Sequence, residues 1–454
     1  MQFQSINPYN GKIIKTYEAL DEQQVELKIA KSHAAYLNWK TTSFDKRKAL
    51  IKSAASELRN QKVRYAETIT MEMGKPISEA RLEIEKCAKV CDYYAGHAEG
   101  FLQDSPLKTD AGNAFIHYNP IGTVLAVMPW NFPFWQVFRF AAPAIMAGNT
   151  CLLKHASNVP GCALDIEGVF KKAGFPDNIF TTLLIGSSEV KKVIEHESVM
   201  AVTLTGSEHA GANVASIAGK CIKKSVLELG GSDPFIVLND ADIEKAALAA
   251  VKGRMLNTGQ SCIAAKRFIL EAGIVEKFTK FFIEALDNLI IGDPMDRDTD
   301  FGTLARKDLA EELLEQVNKS IEKSAKIIYG QLPEKIDSSF FPPMILGDLK
   351  PGMPVYDEET FGPVASFIEV GDINQAIKVA NDSEFGLGAS VWTGDMEKAR
   401  LLADRIESGA VYINQMMFSD PTVPFGGIKK SGFGRELSYL GIREFTNQKT
   451  VWIA

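Results

Sequence analysis

From residue 115 onward, short apolar β-rich runs alternate with helical stretches of roughly ten to fifteen residues, and this alternation constrains the fold most. The runs are Gly122–Met128, Thr150–Lys154, Ile179–Leu184, Ala201–Thr205 and Ser225–Leu229. They carry the βαβ signature of a mostly parallel, doubly wound sheet. A second set follows at Asp233–Leu238, Lys266–Leu270, Val364–Glu369 and Ala389–Trp392, with a helix beginning near Gly273. The pattern predicts an α/β protein of two units meeting near Gly230-Gly231. Ahead of them, Asp21–Lys40, Phe44–Met73 and Pro76–Leu102 have apolar residues at helical spacing, and Gly74-Lys75-Pro76 separates the last two.

Length and charge narrow the class. A chain of 454 residues is long enough for two or three domains with sizeable cores. Its 57 acidic against 50 basic side chains leave a net charge of −7, which disfavours a nucleic-acid surface. The opening Met1–Gly11 lacks the character of a signal peptide, and no apolar run approaches the roughly 18 residues that span a bilayer, so a cytoplasmic protein is expected. Six cysteines (Cys87, Cys91, Cys151, Cys162, Cys221, Cys262) form no C-x-x-C pair, so reduced thiols are expected and no metal site.

Three places could carry chemistry. Cys262 lies in the small, polar stretch Asn257–Ala265 between an apolar helix and a strand, where a neighbouring helix N-terminus would lower its pKa. Glu228 ends an apolar strand, where burial would raise its pKa toward that of a general base. Pro129-Trp130-Asn131-Phe132-Pro133 follows a strand at the edge where α/β ligands bind, and Asn131 offers amide donors to a developing oxyanion. Taken singly, each has a plainer reading: a packed thiol, a salt-bridged strand end, a rigid turn.

Together they resemble the aldehyde dehydrogenase superfamily. Pro129–Pro133, Leu227–Gly231, Gly259–Cys262, Glu358–Val364 and Pro424–Glu436 match its signatures in order across essentially the whole chain. The resemblance implies that Cys262 attacks an aldehyde, that Asn131 and the Cys262 N–H hold the oxyanion, and that Glu228 activates the water that hydrolyses the thioester. It implies a variant Rossmann cofactor domain over 1–102 and 122–230 and a catalytic domain over 231–434. Segments 103–121 and 435–454 would form an oligomerisation element that pairs copies into a homodimer or homotetramer, with the apolar Val451-Trp452-Ile453 at a sheet edge.

It also implies cofactor and substrate contacts. Gly206 and Ser207 would lie beside the pyrophosphate of NAD or NADP, Trp130 would wall the site, Glu359 would hold the nicotinamide ribose, and Phe361 would flank the ring. Lys154 ends a strand at the adenosine-ribose position, and Ser157 stands where many NAD-preferring members have Glu. A serine can donate to a 2′-phosphate that a carboxylate would repel, so NADP is the expected cofactor. His155 is expected to be structural. Arg139 and Ser419 match positions that bind the distal carboxylate in succinate-semialdehyde dehydrogenases, and Arg254 is a possible second cation. Trp135, Gln136 and Phe418 would line the tunnel. The expected reaction is oxidation of succinic semialdehyde to succinate. The alternatives are an aldehyde dehydrogenase of other specificity, for glutaric semialdehyde or uncharged aldehydes, or a non-catalytic protein on this scaffold.

Overall fold

The computed structural model describes residues 2–110 and 112–453. Met1, Ala111 and Ala454 lie outside the described residues, the last two within the segments expected to form the oligomerisation element.

The apolar runs form strands in two sheets. The first has six strands in the order Gly432–Phe433, Lys224–Glu228, Val199–Thr205, Thr123–Met128, Thr150–His155 and Phe180–Thr182. All neighbours are parallel except the first pair. Val124, Leu125, Ala126, Leu152, Leu153 and Val202 are buried, because helices cover both faces and both must be apolar. Strand order reverses at Thr123–Met128, whose successor lies on one side and Val199–Thr205 on the other. Such a switch point leaves a crevice beyond the carboxyl ends of the two central strands. Pro129–Pro133 leaves one of those ends, and Gly206-Ser207 leaves the other.

The chain crosses at Gly230-Gly231 into a seven-stranded sheet. Its order is Lys326–Tyr329, Met344–Gly347, Val364–Val370, Arg267–Glu271, Pro234–Val237, Ala389–Trp392 and Val411–Ile413, parallel apart from the first pair. Phe282 packs edge to face on both Phe268 and Phe367, with its centroid 5.2 Å from that of Phe367, and the cluster anchors the strand that follows Cys262. Residues 432–433, which fall within the expected catalytic segment 231–434, return to the first sheet and pair with Leu227 and Glu228. A third sheet joins Thr446–Ile453, Asn113–Pro120 and Ser105–Pro106.

One local expectation changes. The segment expected as one helix over Phe44–Met73 is two, Phe44–Asn60 and Lys62–Met73, because Gln61 leaves the helical region at φ −106°, ψ 17°. Residues ahead of Asp21 form a hairpin, Gln2–Ile6 with Ile13–Glu18, closed by a turn in which Gly11 adopts φ +71°.

Helix Ile77–Phe101 runs beneath the crevice with an almost continuous buried face that includes Ile84, Cys87, Ala88 and Cys91. The same helix carries Glu79, Glu83 and Lys86, spaced i, i+4, i+7, so all three lie on one side.

Candidate active site

A cleft of about 480 Å³ opens at the switch point. It brings together Trp130, Asn131, Gln136, Gly206, Ser207, Cys262, Glu359 and Phe361.

Cys262 arrives on an unusual loop. Asn257, Thr258 and Gly259 have successive φ values of 58°, 56° and 76°, in the left-handed region that a β-branched threonine rarely occupies. Gly259 also approaches the backbone of Gly362 too closely for a side chain. A web of hydrogen bonds holds this geometry. Asn257 Nδ2 donates to the carbonyls of Asn131 (2.8 Å) and Gln260 (2.9 Å), and Gln260 Nε2 donates to Asn257 O (3.0 Å). From the helix below, Glu79 accepts from Asn257 N at 2.8 Å. Lys266, almost fully buried, donates to the carbonyls of Ser261 (2.9 Å) and Cys262 (2.8 Å) and pairs with Glu359 at 3.0 Å. The Cys262 carbonyl is thus held from below, while its N–H donates to no acceptor among the described residues.

The thiol departs from the expectation of a lowered pKa. The expected strand follows the loop, and burial pushes the Cys262 thiol up to about 12, against the pull of the Arg139 and Lys266 cations. Asn131 is set by both ends of its amide. Nδ2 donates to Gln260 O at 3.1 Å, and Oδ1 accepts from Gln136 Nε2 at 3.0 Å. Its turn is pinned by Glu83, which accepts from Phe134 N (2.8 Å) and Trp135 N (3.0 Å) at the start of helix Trp135–Ala147 and pairs with buried Lys75 at 2.6 Å. His155 ties the next strand to the same turn. Its Nδ1 accepts from Ala156 N (2.9 Å), which leaves Nε2 to donate to Pro133 O (2.9 Å), and burial lowers its pKa to about 4, so the ring is neutral.

Glu228 is buried where its strand meets Thr205 and Gly206, and neither carboxyl oxygen has a hydrogen-bond partner among the described residues. Burial raises its pKa well above the carboxylate range, and the Glu436 carboxylate raises it further, against Arg139 and Arg435. A buried, unpartnered carboxyl is a strong base once it ionises. Arg139, read from the sequence as a substrate contact, forms an ion pair with Glu436 and donates to Thr205 Oγ1 at 3.3 Å. Arg254 turns to backbone, donating to Thr360 O (2.9 Å) and contacting Gly362 O. Trp135 is buried beneath Lys86 Nζ, 4.2 Å from the indole centroid. Ser419 accepts from the same ammonium at 2.6 Å, and Phe418 packs on Tyr412 with centroids 5.3 Å apart.

The crevice suits a dinucleotide phosphate. Ser207 caps helix Glu208–Lys220, accepting from Ala210 N at 3.3 Å, so the positive end of that helix faces the cleft. Trp130 and Phe361 meet edge to face at 5.8 Å across it. At the carboxyl end of strand Thr150–His155, Lys154 is partly buried with no ion-pair or hydrogen-bond partner among the described residues, and Ser157 is exposed beside it. An unmatched cation with a hydroxyl beside it is a donor set of the kind an anionic group accepts from.

The sequence alone gives no role to Glu79, Glu83, Lys86 or Lys266. The available signal was three charged residues on one side of an otherwise apolar helix face.

A cysteine and an oriented amide lining one switch-point cleft, with a buried glutamate on the adjoining strand, form an arrangement of the aldehyde-oxidising class. The chain belongs to the aldehyde dehydrogenase family, which it matches over residues 1–451. It is 49% identical to a probable NADP(+) succinate-semialdehyde dehydrogenase of Synechocystis over 454 residues, with both chains covered in full. It is 46% identical to the succinate semialdehyde dehydrogenase [NAD(P)+] Sad of Escherichia coli, covering 99% of this chain and 97% of that one. The solved structure of succinic semialdehyde dehydrogenase from Streptococcus pyogenes with NADP+ superposes with a TM-score of 0.97 at 38% identity, covering 99% of each chain.

Proposed function

We propose that this chain oxidises succinic semialdehyde to succinate with NADP, through a covalent intermediate on Cys262. Full-length likeness to succinate-semialdehyde dehydrogenases carries the substrate reading. The unmatched Lys154 beside Ser157 supports the cofactor reading.

The Cys262 thiol gives its proton to solvent water, and its sulfur electron pair attacks the aldehyde carbon while the carbonyl π pair moves onto oxygen as an oxyanion. Asn131 Nδ2 and the free Cys262 N–H are the donors for that charge, and both are held before substrate arrives. The nicotinamide, when bound, supplies the acceptor for hydride from the thiohemiacetal carbon. The carbon remains on sulfur as a thioester. Glu228 then takes a proton from water, whose oxygen attacks the acyl carbon and expels the Cys262 thiolate with the carboxylic acid. On the cofactor side, Gly206 and Ser207 meet the pyrophosphate, Glu359 the nicotinamide ribose, and Lys154 with Ser157 the 2′-phosphate. Arg139, Ser419, Trp135 and Gln136 shape the substrate end.

The same proposal divides the chain into a cofactor domain (1–102 and 122–230), a catalytic domain (231–434) and an oligomerisation element (103–121 and 435–454). Assembly of two or four copies is supported by the edge strand Thr446–Ile453, on which Trp452 and Ile453 are 57% and 50% exposed. Among the described residues no helix is long and apolar enough to cross a membrane, and all six cysteines are free, which supports a reducing, cytoplasmic setting.

The test is the initial rate of cofactor reduction by succinic semialdehyde with NADP and with NAD, alongside Cys262→Ala. A Cys262-dependent rate favouring NADP is expected. Turnover of other aldehydes only would overturn the substrate reading, and a preference for NAD would overturn the cofactor reading.

A further inference from the structure

Of the two donors for the oxyanion, Asn131 Nδ2 is fixed by Gln136 and Gln260, whereas the Cys262 N–H is a backbone group and is aimed only through its own peptide. That peptide runs from the Ser261 carbonyl to Cys262 N. It is trans, so its C=O and N–H point in opposite directions within one plane, and whatever grips the oxygen sets the direction of the N–H. The oxygen is held by Lys266 Nζ at 2.9 Å. The same ammonium holds the next carbonyl, Cys262 O, at 2.8 Å, so the peptides on both sides of the nucleophile's Cα are tied to one point.

Lys266 is itself fixed. Its backbone leads into strand Arg267–Glu271, with its N donating to Asp233 O (3.1 Å) and its O accepting from Ser366 N (3.2 Å). Its side chain is 1% exposed, and the third ammonium proton goes to Glu359 Oε1 at 3.0 Å. That oxygen is held from another side by Gly231 N at 3.1 Å. Two carbonyls and one carboxylate use all three ammonium protons, so none is left for substrate and Lys266 acts through the groups it holds. A charged donor on Ser261 O also polarises that peptide, which strengthens the Cys262 N–H as a donor. Of the charged groups around the thiol, Arg139 and Lys266 favour the thiolate, while Glu359 and Asp233 oppose it. Glu436 offsets the Arg139 charge by pairing with it.

We propose that Lys266 is a positioning residue of the oxyanion site: by holding the Ser261 and Cys262 carbonyls it aims the Cys262 N–H at the aldehyde oxygen, with Glu359 anchoring the ammonium. Its positive charge favours the thiolate as well. This inference rests on the covalent Cys262 reading above.

The test is single-turnover reduction of NADP by succinic semialdehyde, with enzyme in excess over cofactor and the aldehyde saturating. It is read as a rate constant, which does not depend on the fraction of the protein that is folded. In Lys266→Met the rate constant should fall at least about tenfold, while the aldehyde concentration giving half the maximal rate stays within about threefold, because the misaimed donor serves the oxyanion and not the bound aldehyde. Lys266→Gln keeps one uncharged donor for the carbonyls and should fall about three- to tenfold, which keeps the reading available should the methionine variant fail to fold. Alkylation of Cys262 without cofactor separates this role from mere packing. Loss of the cation leaves Glu359 unmatched near the thiol, so alkylation at pH 8 should slow at least about threefold in both variants. A loop that had only loosened would expose the thiol and speed the reaction. A rate constant within about twofold of wild type in either variant, or faster alkylation in either, overturns the proposal. Wild-type reduction of NADP that survives Cys262→Ala would instead overturn the covalent reading itself, before any Lys266 variant is made.

Discussion

Gln136 offers the sharpest perturbation of the oxyanion site, because its neighbour's amide is oriented from both ends. Gln136 Nε2 donates to Asn131 Oδ1 at 3.0 Å, and Asn131 Nδ2 donates to Gln260 O at 3.1 Å. Gln136→Glu replaces that donor with an acceptor of the same shape. Once ionised, the new carboxylate repels Oδ1 and attracts Nδ2, so the amide turns and its donor leaves the oxyanion position. A charge-assisted bond contributes about 1.5–3 kcal/mol against about 1 kcal/mol for the Gln260 bond that is lost, so the turned form dominates. Loss of one oxyanion donor costs roughly 100- to 1,000-fold in kcat, and a fall of about 100-fold is expected. Gln136→Met removes the donor without reversing the field, and Gln260 still holds Nδ2, so its loss should stay below about tenfold. The assay is the pre-steady-state burst of reduced cofactor at saturating aldehyde. Because the introduced carboxyl can still donate while protonated, the defect in Gln136→Glu should deepen as pH rises through its ionisation. Equal losses in the two variants would refute the orienting role. So would a defect confined to KM for the acid aldehyde, which would make Gln136 only a wall of the substrate tunnel.

Three further perturbations test other parts of the site. Ser157→Glu should lower kcat/KM for NADP by roughly 100-fold, about 3 kcal/mol from a lost charge-assisted contact plus repulsion, and spare NAD; an unchanged cofactor ratio would contradict the strand-end assignment. Without cofactor, alkylation of Cys262 should climb steadily from pH 7 to 9 with no plateau, because the thiol is pushed up to about 12; a plateau near neutrality would show a preformed thiolate. Glu79 is raised from 4.5 to about 7 by burial, so the unfolded chain releases its proton first and the fold loses about 3 kcal/mol as pH rises through that window. Glu79→Gln keeps an acceptor for Asn257 N and removes this titration, so its unfolding midpoint should gain on wild type between pH 5 and pH 8; a difference independent of pH would contradict the reading.

The chemistry-bearing residues were legible in the sequence because each lies at the end of an apolar run. Asn131 and Ser207 sit where buried strands stop, and Cys262 sits in a polar gap between a helix and a strand. What supports them was not legible. Glu79 meets Asn257, Glu83 meets Phe134 and Trp135, and Lys86 meets Ser419, each across a tertiary contact that no local pattern encodes. On the helix the three read as an ordinary charged stripe. The direction of the Cys262 shift was hidden for the same reason, since burial outweighs the Arg139 and Lys266 cations only once the loop is folded. Arg139 is legible as a cation in an apolar helix, but its partner Glu436 lies nearly three hundred residues away and no local pattern pairs them. The N-terminal hairpin is not legible because its second strand is largely exposed and buries no apolar face.

The covalent route through Cys262 is the centre of the account, and trapping its thioester tests it most directly. Glu228→Gln removes the base for hydrolysis and leaves the nucleophile in place. After incubation with succinic semialdehyde and NADP, mass spectrometry of this variant should find one succinyl group per chain, on the Cys262 peptide, and none in the double variant with Cys262→Ala. Turnover that continues with no acyl group on Cys262, or with the group on another residue, would contradict the mechanism.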